Sequence, residues 1–247
     1  MVTASAQKPL SEAHAHNDYK HKRPLLDALE HGFCSVEADI YLVEGELLVG
    51  HDPKDLKAGQ TLRKLYLEPL RKRIKLNRNQ VYGGEQMEFT LLIDIKSDGD
   101  TTYRALSELL GEYHEVFTGT KDGVTTKRAV TAIISGNRAK GTIVADNPRY
   151  AGIDGRLKDL DSELDKHLLP LISDRWSSHF KWNGQGEMPA SERQKLHDIV
   201  KKAHANGRRI RFWATPEKVN VWRELQAAGV DLINTDDLPG LRLFLLL

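Results

Sequence analysis

Ser35-Val36-Glu37-Ala38-Asp39-Ile40 alternates small or acidic residues with aliphatic ones. In an extended strand successive side chains point to opposite faces, so Glu37 and Asp39 share one face while Val36, Ala38 and Ile40 share the other. Two carboxylates placed side by side between apolar residues repel and lose hydration unless a cation sits between them. Hard oxygen ligands of this kind suit Mg²⁺ or Ca²⁺. The competing reading is a strand whose acidic face meets only water.

The pattern recurs. In Leu91-Leu92-Ile93-Asp94-Ile95-Lys96, Asp94 and Lys96 share a face, opposite Leu91, Ile93 and Ile95. His51-Asp52 follows the strand-like Leu47-Leu48-Val49, and His14-Ala15-His16-Asn17-Asp18 closes an apolar segment near the N-terminus. Acids, imidazoles and a lysine gathered at strand ends point to a site rather than a wet surface.

The spacing predicts eight strands: 10–15, 34–42, 91–96, 129–135, 142–146, 168–173, 209–214 and 231–235. Helical periodicity spans 23–31, 101–117, 190–206 and 217–228, and Gly32, Gly207 and Gly229 stand just past three of these ends. Eight strands alternating with helices in a chain of 247 residues point to an α/β protein, a single (β/α)₈ TIM barrel over residues 1–247. Catalytic groups of such barrels sit at the C-terminal ends of the strands, where the motifs above fall.

Composition agrees with one soluble domain: 40% of residues are hydrophobic, 29% are charged, and no apolar run approaches the roughly 18 residues that span a bilayer. A formal net charge of +1 gives no general electrostatic ground for nucleic acid binding, and nothing implies a protein partner. The single Cys34 excludes an intrachain disulfide and reads as a small buried residue. Residues 1–8 read as a disordered start or the remnant of a secretory signal ending in Ala4-Ser5-Ala6-Gln7, which points to a secreted or periplasmic protein, the alternative being a cytoplasmic one. The stretch 63–78 carries seven Lys or Arg interleaved with leucines and isoleucine. It reads as an amphipathic helix packed on the barrel, or as a transient contact for an anionic membrane surface.

The runs His16-Asn17-Asp18-Tyr19, Arg23-Pro24-Leu25-Leu26-Asp27-Ala28-Leu29, Ser35-Val36-Glu37-Ala38-Asp39, Val49-Gly50-His51-Asp52 and Thr61-Leu62-Arg63-Lys64-Leu65-Tyr66-Leu67-Glu68-Pro69-Leu70 resemble the altered inheritance of mitochondria protein 6 family. The likeness resumes at Arg211-Phe212-Trp213 and over 229–238. That family lies within the phospholipase-C-like, glycerophosphodiester phosphodiesterase superfamily. The resemblance implies metal-dependent phosphodiester cleavage on glycerophosphodiester- or lysophospholipid-like substrates. It matches His16 and His51 to two catalytic histidines, Glu37, Asp39 and Asp94 to the ligands of one Mg²⁺ or Ca²⁺, and Lys96 to a lysine near the phosphate. Two departures stand out. Glycerophosphodiesterases have His-Arg-Gly where this chain has His16-Asn17-Asp18, and usually Glu where it has Asp94, which looks more like the spider-venom-type phospholipases D.

Weaker substrate candidates are His14, Asn17, Arg211, Trp213 and Asn234, with Asp236, Asp146 and Trp176 behind them. His14 is also an alternative to His16 as the first catalytic histidine. An arginine pointing into a barrel must meet an anion, here either Glu37 or a substrate phosphate. Two other functions compete: an amidohydrolase-like metal enzyme, because His14-Ala15-His16 is also a metal-binding arrangement, and a catalytically silent barrel that binds a phosphorylated ligand.

Overall fold

A computed structural model of the chain describes residues 8–84 and 87–247; the run Ala4–Gln7 lies outside them. Eight parallel strands form its centre: β1 (Leu10–Ala15), β2 (Phe33–Val43), β3 (Phe89–Ile95), β4 (Val130–Gly136), β5 (Ala151–Gly155), β6 (Leu171–Arg175), β7 (Arg209–Trp213) and β8 (Leu232–Thr235). Each pairs with the next in sequence, and β8 and β2 both pair with β1, so the sheet closes into a barrel. The helices are α1 (Leu26–Glu30), α2 (Glu68–Leu76), α3 (Gly99–Gly111), α4 (Lys140–Ala145), α5 (Trp176–His179), α6 (Ala190–Ala205), α7 (Val219–Ala228) and α8 (Leu238–Leu246). The end of β2 folds back on a short antiparallel strand, Glu46–Val49, with Ile40 opposite Val49.

Each strand is covered on both faces, which is why the barrel strands read as apolar runs broken by polar residues at intervals of two. Outward-facing Val36, Ala38, Ile40, Ile93, Ile95, Ile134, Ile153, Ile210 and Phe212 are buried in the main core with the helices. Inside the barrel, Leu92, Ile133, Leu171 and Leu232 form a separate buried cluster. These four side chains make an apolar floor. One inward position further along the strands the lining turns polar: Asp94, Ser135, Ser173 and Asn234 stand above Leu92, Ile133, Leu171 and Leu232.

Strand five is displaced from the sequence expectation. Of residues 142–146, read as a strand, 142–145 belong to α4 and Asp146 follows it, and the fifth strand is Ala151-Gly152-Ile153-Asp154-Gly155. Two glycines and an aspartate in five residues leave almost no apolar period to read. Packing explains both glycines: a Cβ on Gly152 would stand 2.6 Å from the Pro170 ring, and one on Gly155 would stand 2.6 Å from Ile172 Cδ1. Strand six begins three residues later than expected, at Leu171. The third helix stops at Gly111 instead of reaching Phe117, and an unforeseen hairpin, Gly119–Lys121 with Val124–Thr126, precedes β4.

The basic stretch 63–78 is a π-type turn over Arg63–Leu67 continued by α2. Tyr66, Leu67, Leu70 and Ile74 are buried against the barrel. Arg63 binds Glu112 at 2.7 and 2.8 Å, and Arg71 binds Glu68 at 2.7 Å, so part of the basic face is paired within the protein. Cys34 is buried, and burial pushes its thiol up to about 12. Among the described residues no helix is long and apolar enough to cross a membrane.

The floor predicts a separation of stability from ligand binding. Leu92→Ala should lower stability by about 2–5 kcal/mol in urea unfolding, the range for large-to-small core changes, while cation affinity measured by calorimetry changes little.

Candidate active site

Strands β2 and β3 run in register, with Asp39 opposite Asp94 and Glu37 opposite Leu92. This places three acids at one side of the barrel mouth, with carboxylate oxygens of Glu37, Asp39 and Asp94 all within 4.8 Å of one another. Two cations answer them. Arg211 Nη2 donates to Glu37 Oε2 at 2.8 Å, and Lys96 Nζ lies 3.2 Å from Asp39 Oδ2 and 3.1 Å from Asp94 Oδ1. Arg211 therefore meets a carboxylate, the first of its two expected partners.

The three acids are stabilised unequally. Burial opposes the charge on Glu37, but the Arg211 guanidinium and the His14 hydrogen bond outweigh it and hold this carboxyl well below the usual range. Burial first, then repulsion from Glu37, pushes Asp39 up to about 6. Burial likewise raises Asp94, with Glu37 adding to it and Lys96 opposing. Burial works against the Lys96 charge too, yet Asp39 and Asp94 raise its affinity for the proton above the ordinary lysine value.

The acids fit a divalent cation on three grounds. Their donor atoms are all hard oxygens. Asp39 Oδ1 is buried without a hydrogen-bond partner among the described residues. Gly136, at φ 67°, leaves the room that Asp94 occupies: a Cβ there would overlap the Asp94 carboxylate and the Ile95 carbonyl.

His14 and His16 separate clearly. His14 is fully buried; its Nδ1 lies 2.7 Å from Ser35 Oγ and its Nε2 3.2 Å from Glu37 Oε2. Burial, then the Arg211 charge, pushes its imidazole down to about 3. A neutral ring with Nε2–H donating to Glu37 and Nδ1 accepting from the Ser35 hydroxyl satisfies both contacts. His14 thus positions Glu37 from below and lies beyond reach of a substrate in the mouth, against its reading as a substrate contact.

His16, two residues on, has a side chain 28% exposed, and its Nδ1 is 2.8 Å from Asp236 Oδ1. Asn17 follows in a left-handed conformation (φ 48°) that asparagine tolerates. The Tyr19 hydroxyl lies 2.6 Å from Asn17 Oδ1 and 2.7 Å from Asp39 Oδ2; its single proton serves one of them at a time. His51 sits on the loop after the Glu46–Val49 strand with its side chain 48% exposed, and Gly50 N–H donates to the Asp39 carbonyl at 3.1 Å. That bond ties the start of the His51 loop to β2, the strand that carries Glu37 and Asp39.

Trp213 is half-buried at the end of β7, with the Arg175 guanidinium 5.6 Å above its ring. Asn234 is buried beside His14 in the β1–β8 register, and its Oδ1 has no partner among the described residues. Two minor candidates lie elsewhere. Asp146 accepts from Tyr103 and Ser107 on α3, and Trp176 stacks on Phe180 at 4.1 Å and meets Phe212 edge-on, in the layer outside the barrel.

Sequence reasoning missed a second polar cluster. Asp154, 1% exposed, accepts from Ser135 Oγ at 2.7 Å, Ser173 Oγ at 2.7 Å and Arg156 Nη1 at 2.8 Å. Its only trace in the sequence was Ile153 flanked by Gly152 and Asp154 at a spacing of two. Tyr19 was also overlooked as a partner of Asp39, because contact across a turn leaves no periodicity.

An AIM6-like phosphodiesterase domain matches residues 5–153, and the glycerophosphoryl diester phosphodiesterase family matches residues 209–239. The chain belongs to the AIM6-like phosphodiesterase family. It is 30% identical to altered inheritance of mitochondria protein 6 of Eremothecium gossypii, over 95% of this chain and 69% of that protein. It is 28% identical to the Saccharomyces cerevisiae protein of the same name, over 91% and 68%. Solved glycerophosphodiester phosphodiesterases from Agrobacterium tumefaciens (15% identity, 95% of this chain and 99% of that one) and Parabacteroides distasonis (16%, 96% and 98%) share the fold, each with a TM-score of 0.57.

Two outcomes are expected at this site. Gly136→Ala should weaken Mg²⁺ or Ca²⁺ binding by about 10–100-fold in calorimetry, the range for disturbing a ligand's support, because the new methyl displaces Asp94. Cation affinity should also fall as pH drops through about 6, where Asp39 takes up a proton that the cation must displace. Calorimetry in buffers of different ionisation enthalpy would detect that proton's release near pH 6, and its absence would show that Asp39 is not a ligand.

Proposed function

We propose that this member of the family is a metal-dependent phosphodiesterase that cleaves glycerophosphodiester- or lysophospholipid-like substrates by acid–base catalysis with two histidines. The supporting observation is the carboxylate triad, with Lys96 bridging Asp39 and Asp94, at the same barrel end as the partly exposed His16 and His51. Glu37, Asp39 and Asp94 would hold one Mg²⁺ or Ca²⁺. Bound there, the ion would supply positive charge to the phosphoryl oxygens, which gain negative charge as the reaction proceeds.

The protein's own groups do the rest. Lys96 adds an ammonium beside the phosphate. His16, with Nδ1–H donated to Asp236, presents Nε2 as an acceptor for the nucleophile's proton; Asp236, held low by that hydrogen bond, stays ionised to orient the ring. His51, on the opposite loop, gives a proton to the leaving alkoxide. The nucleophile is water or a neighbouring hydroxyl of the substrate. In the second case the product is a cyclic phosphate, favoured by effective molarities of about 10⁵–10⁸ M for well-oriented internal groups.

An amidohydrolase-like centre draws no support here. Among the described residues the one group of three or more metal-type ligands is all carboxylate, and His14 is committed to Ser35 and Glu37. A silent phosphate-binding barrel is the remaining competitor.

Substitution separates these readings. Glu37→Gln, Asp39→Asn and Asp94→Asn should each lose cation binding and diester cleavage together. His16→Ala and His51→Ala should each lower kcat by about 10²–10⁴, the usual contribution of a general acid or base, and keep the cation. Calorimetry with Mg²⁺ and Ca²⁺, alongside phosphorus NMR of product formation, provides both readouts. Absence of turnover in a cation-loaded wild type would establish the silent barrel.

A further inference from the structure

The barrel mouth has two electrostatic sides. Glu37, Asp39 and Asp94 occupy the β2–β3 side. Next to that side and continuing round the mouth, three arginines stand at the ends of three successive strands: Arg138 two residues beyond β4, which pairs with β3, Arg156 immediately after β5, and Arg175 as the last residue of β6. Only one of the three has a carboxylate partner. Arg156 binds the buried Asp154, whose oxygens also accept from Ser135 and Ser173. Arg138 Nη1 donates to the Asp154 backbone carbonyl at 2.5 Å, and among the described residues neither Arg138 nor Arg175 forms an ion pair.

The acids nearby are engaged elsewhere. Asp159 is 3.2 Å from Lys140, and Asp174 is 3.2 Å from His179 and accepts the Arg175 backbone N–H. Arg138 is half-buried, and burial followed by the neighbouring Arg156 charge lowers its hold on the proton below the ordinary arginine value. Arg138 and Arg156 both reach the Asp154 carbonyl; the Asp154, Asp159 and Asp94 charges act in favour of the Arg138 cation, but among the described residues none of them forms an ion pair with it, so an anion bound there would supply the partner it lacks. A carboxylate or phosphate matches the flat fork of each guanidinium.

The scissile phosphodiester does not account for these groups. It carries one negative charge, and Lys96, beside Asp39 and Asp94, is the cation proposed above to meet it. Trp213, one aromatic surface that could take a cationic headgroup, already carries the Arg175 guanidinium over its ring.

We propose that the diester cleaved at the acid triad carries a second anionic group on its headgroup, and that Arg138, Arg156 and Arg175 bind it. This rests on the phosphodiesterase reading above and names its substrate class. The headgroup bears a carboxylate or a phosphomonoester, and quaternary ammonium headgroups such as choline are disfavoured.

The test uses four diesters of glycerol 3-phosphate, esterified with ethanol, choline, 3-hydroxypropionate or 3-hydroxypropyl phosphate, assayed with saturating Mg²⁺ or Ca²⁺. One or both anionic diesters should exceed the ethyl diester in kcat/KM by about tenfold, the worth of one well-placed charged contact, and the choline diester should fall below it. The relative rates of the two anionic diesters distinguish carboxylate from phosphomonoester. Arg175→Met, at an exposed position where the fold does not depend on the side chain, should shrink the anionic advantage mainly through KM, and Arg175→Lys should restore part of it. Arg138→Met should act in the same direction.

Calorimetry of inorganic pyrophosphate with the metal-free protein gives a second readout that needs no turnover: binding should weaken in Arg138→Met and Arg175→Met. Cleavage of all four diesters without regard to headgroup charge, or a preference for choline, would overturn the anionic headgroup and leave the phosphodiesterase intact. If none is cleaved, the phosphodiesterase reading fails by itself, and pyrophosphate decides the arginine site: weaker binding in the variants upholds it, unchanged binding removes it.

Discussion

Glu37, Asp39 and Asp94 are crowded together because parallel pairing sets Asp39 beside Asp94, and the two-residue period puts Glu37 on the same face. At the separations found here, like charges repel by about 3 kcal/mol per pair at an effective dielectric of about 20. Much of the upper barrel answers that repulsion. Arg211 crosses from β7 to reach Glu37, His14 supports Glu37 from β1, and Lys96 bridges the other two acids. The relief is uneven. Glu37 is firmly ionised, whereas Asp39 and Asp94 hold their protons more tightly than ordinary carboxylates, and Asp39 Oδ1 has no hydrogen-bond partner among the described residues. Uneven neutralisation of this kind is what supports the proposal of one further cation among these acids.

The barrel can tolerate the crowding because its layers are segregated. The four-residue apolar floor and the outer aliphatic faces provide packing that involves no charge, and the polar lining begins only above Leu92 and Ile133. Local rules give way at the site itself. Gly136 takes a left-handed conformation beside Asp94, and Asn17 does the same beside His16. Departures from local preference concentrated around functional groups are expected where geometry rather than stability has been favoured.

The likeness to solved glycerophosphodiester phosphodiesterases establishes the barrel, and at 15–16% identity it goes no further. Where this chain departs from the glycerophosphodiesterase pattern, its own side chains carry the difference: Asn17 and Asp18 follow His16, and aspartate stands at position 94. Carboxylates therefore gather on β2 and β3, with Lys96 and Arg211 among them, and guanidinium groups follow at the ends of β4, β5 and β6.

The sequence by itself determined the barrel, the acid pair at 37 and 39, Asp94 with Lys96, and the partner choice open to Arg211. Each is written in periodicity: a two-residue alternation assigns faces, and strand–helix alternation assigns a parallel sheet. Only the tertiary structure decided which of His14 and His16 faces the mouth, because the two share a strand face and differ in depth rather than direction. It also decided strand five, where Gly152 and Gly155 exist to admit Pro170 and Ile172 and so erase the apolar period that would have marked the strand. With that strand unrecognised, Asp154 and the arginines around it had no place in the sequence reading. Their grouping depends on contacts between β4, β5 and β6, and spacing along one strand cannot encode what stands beside it.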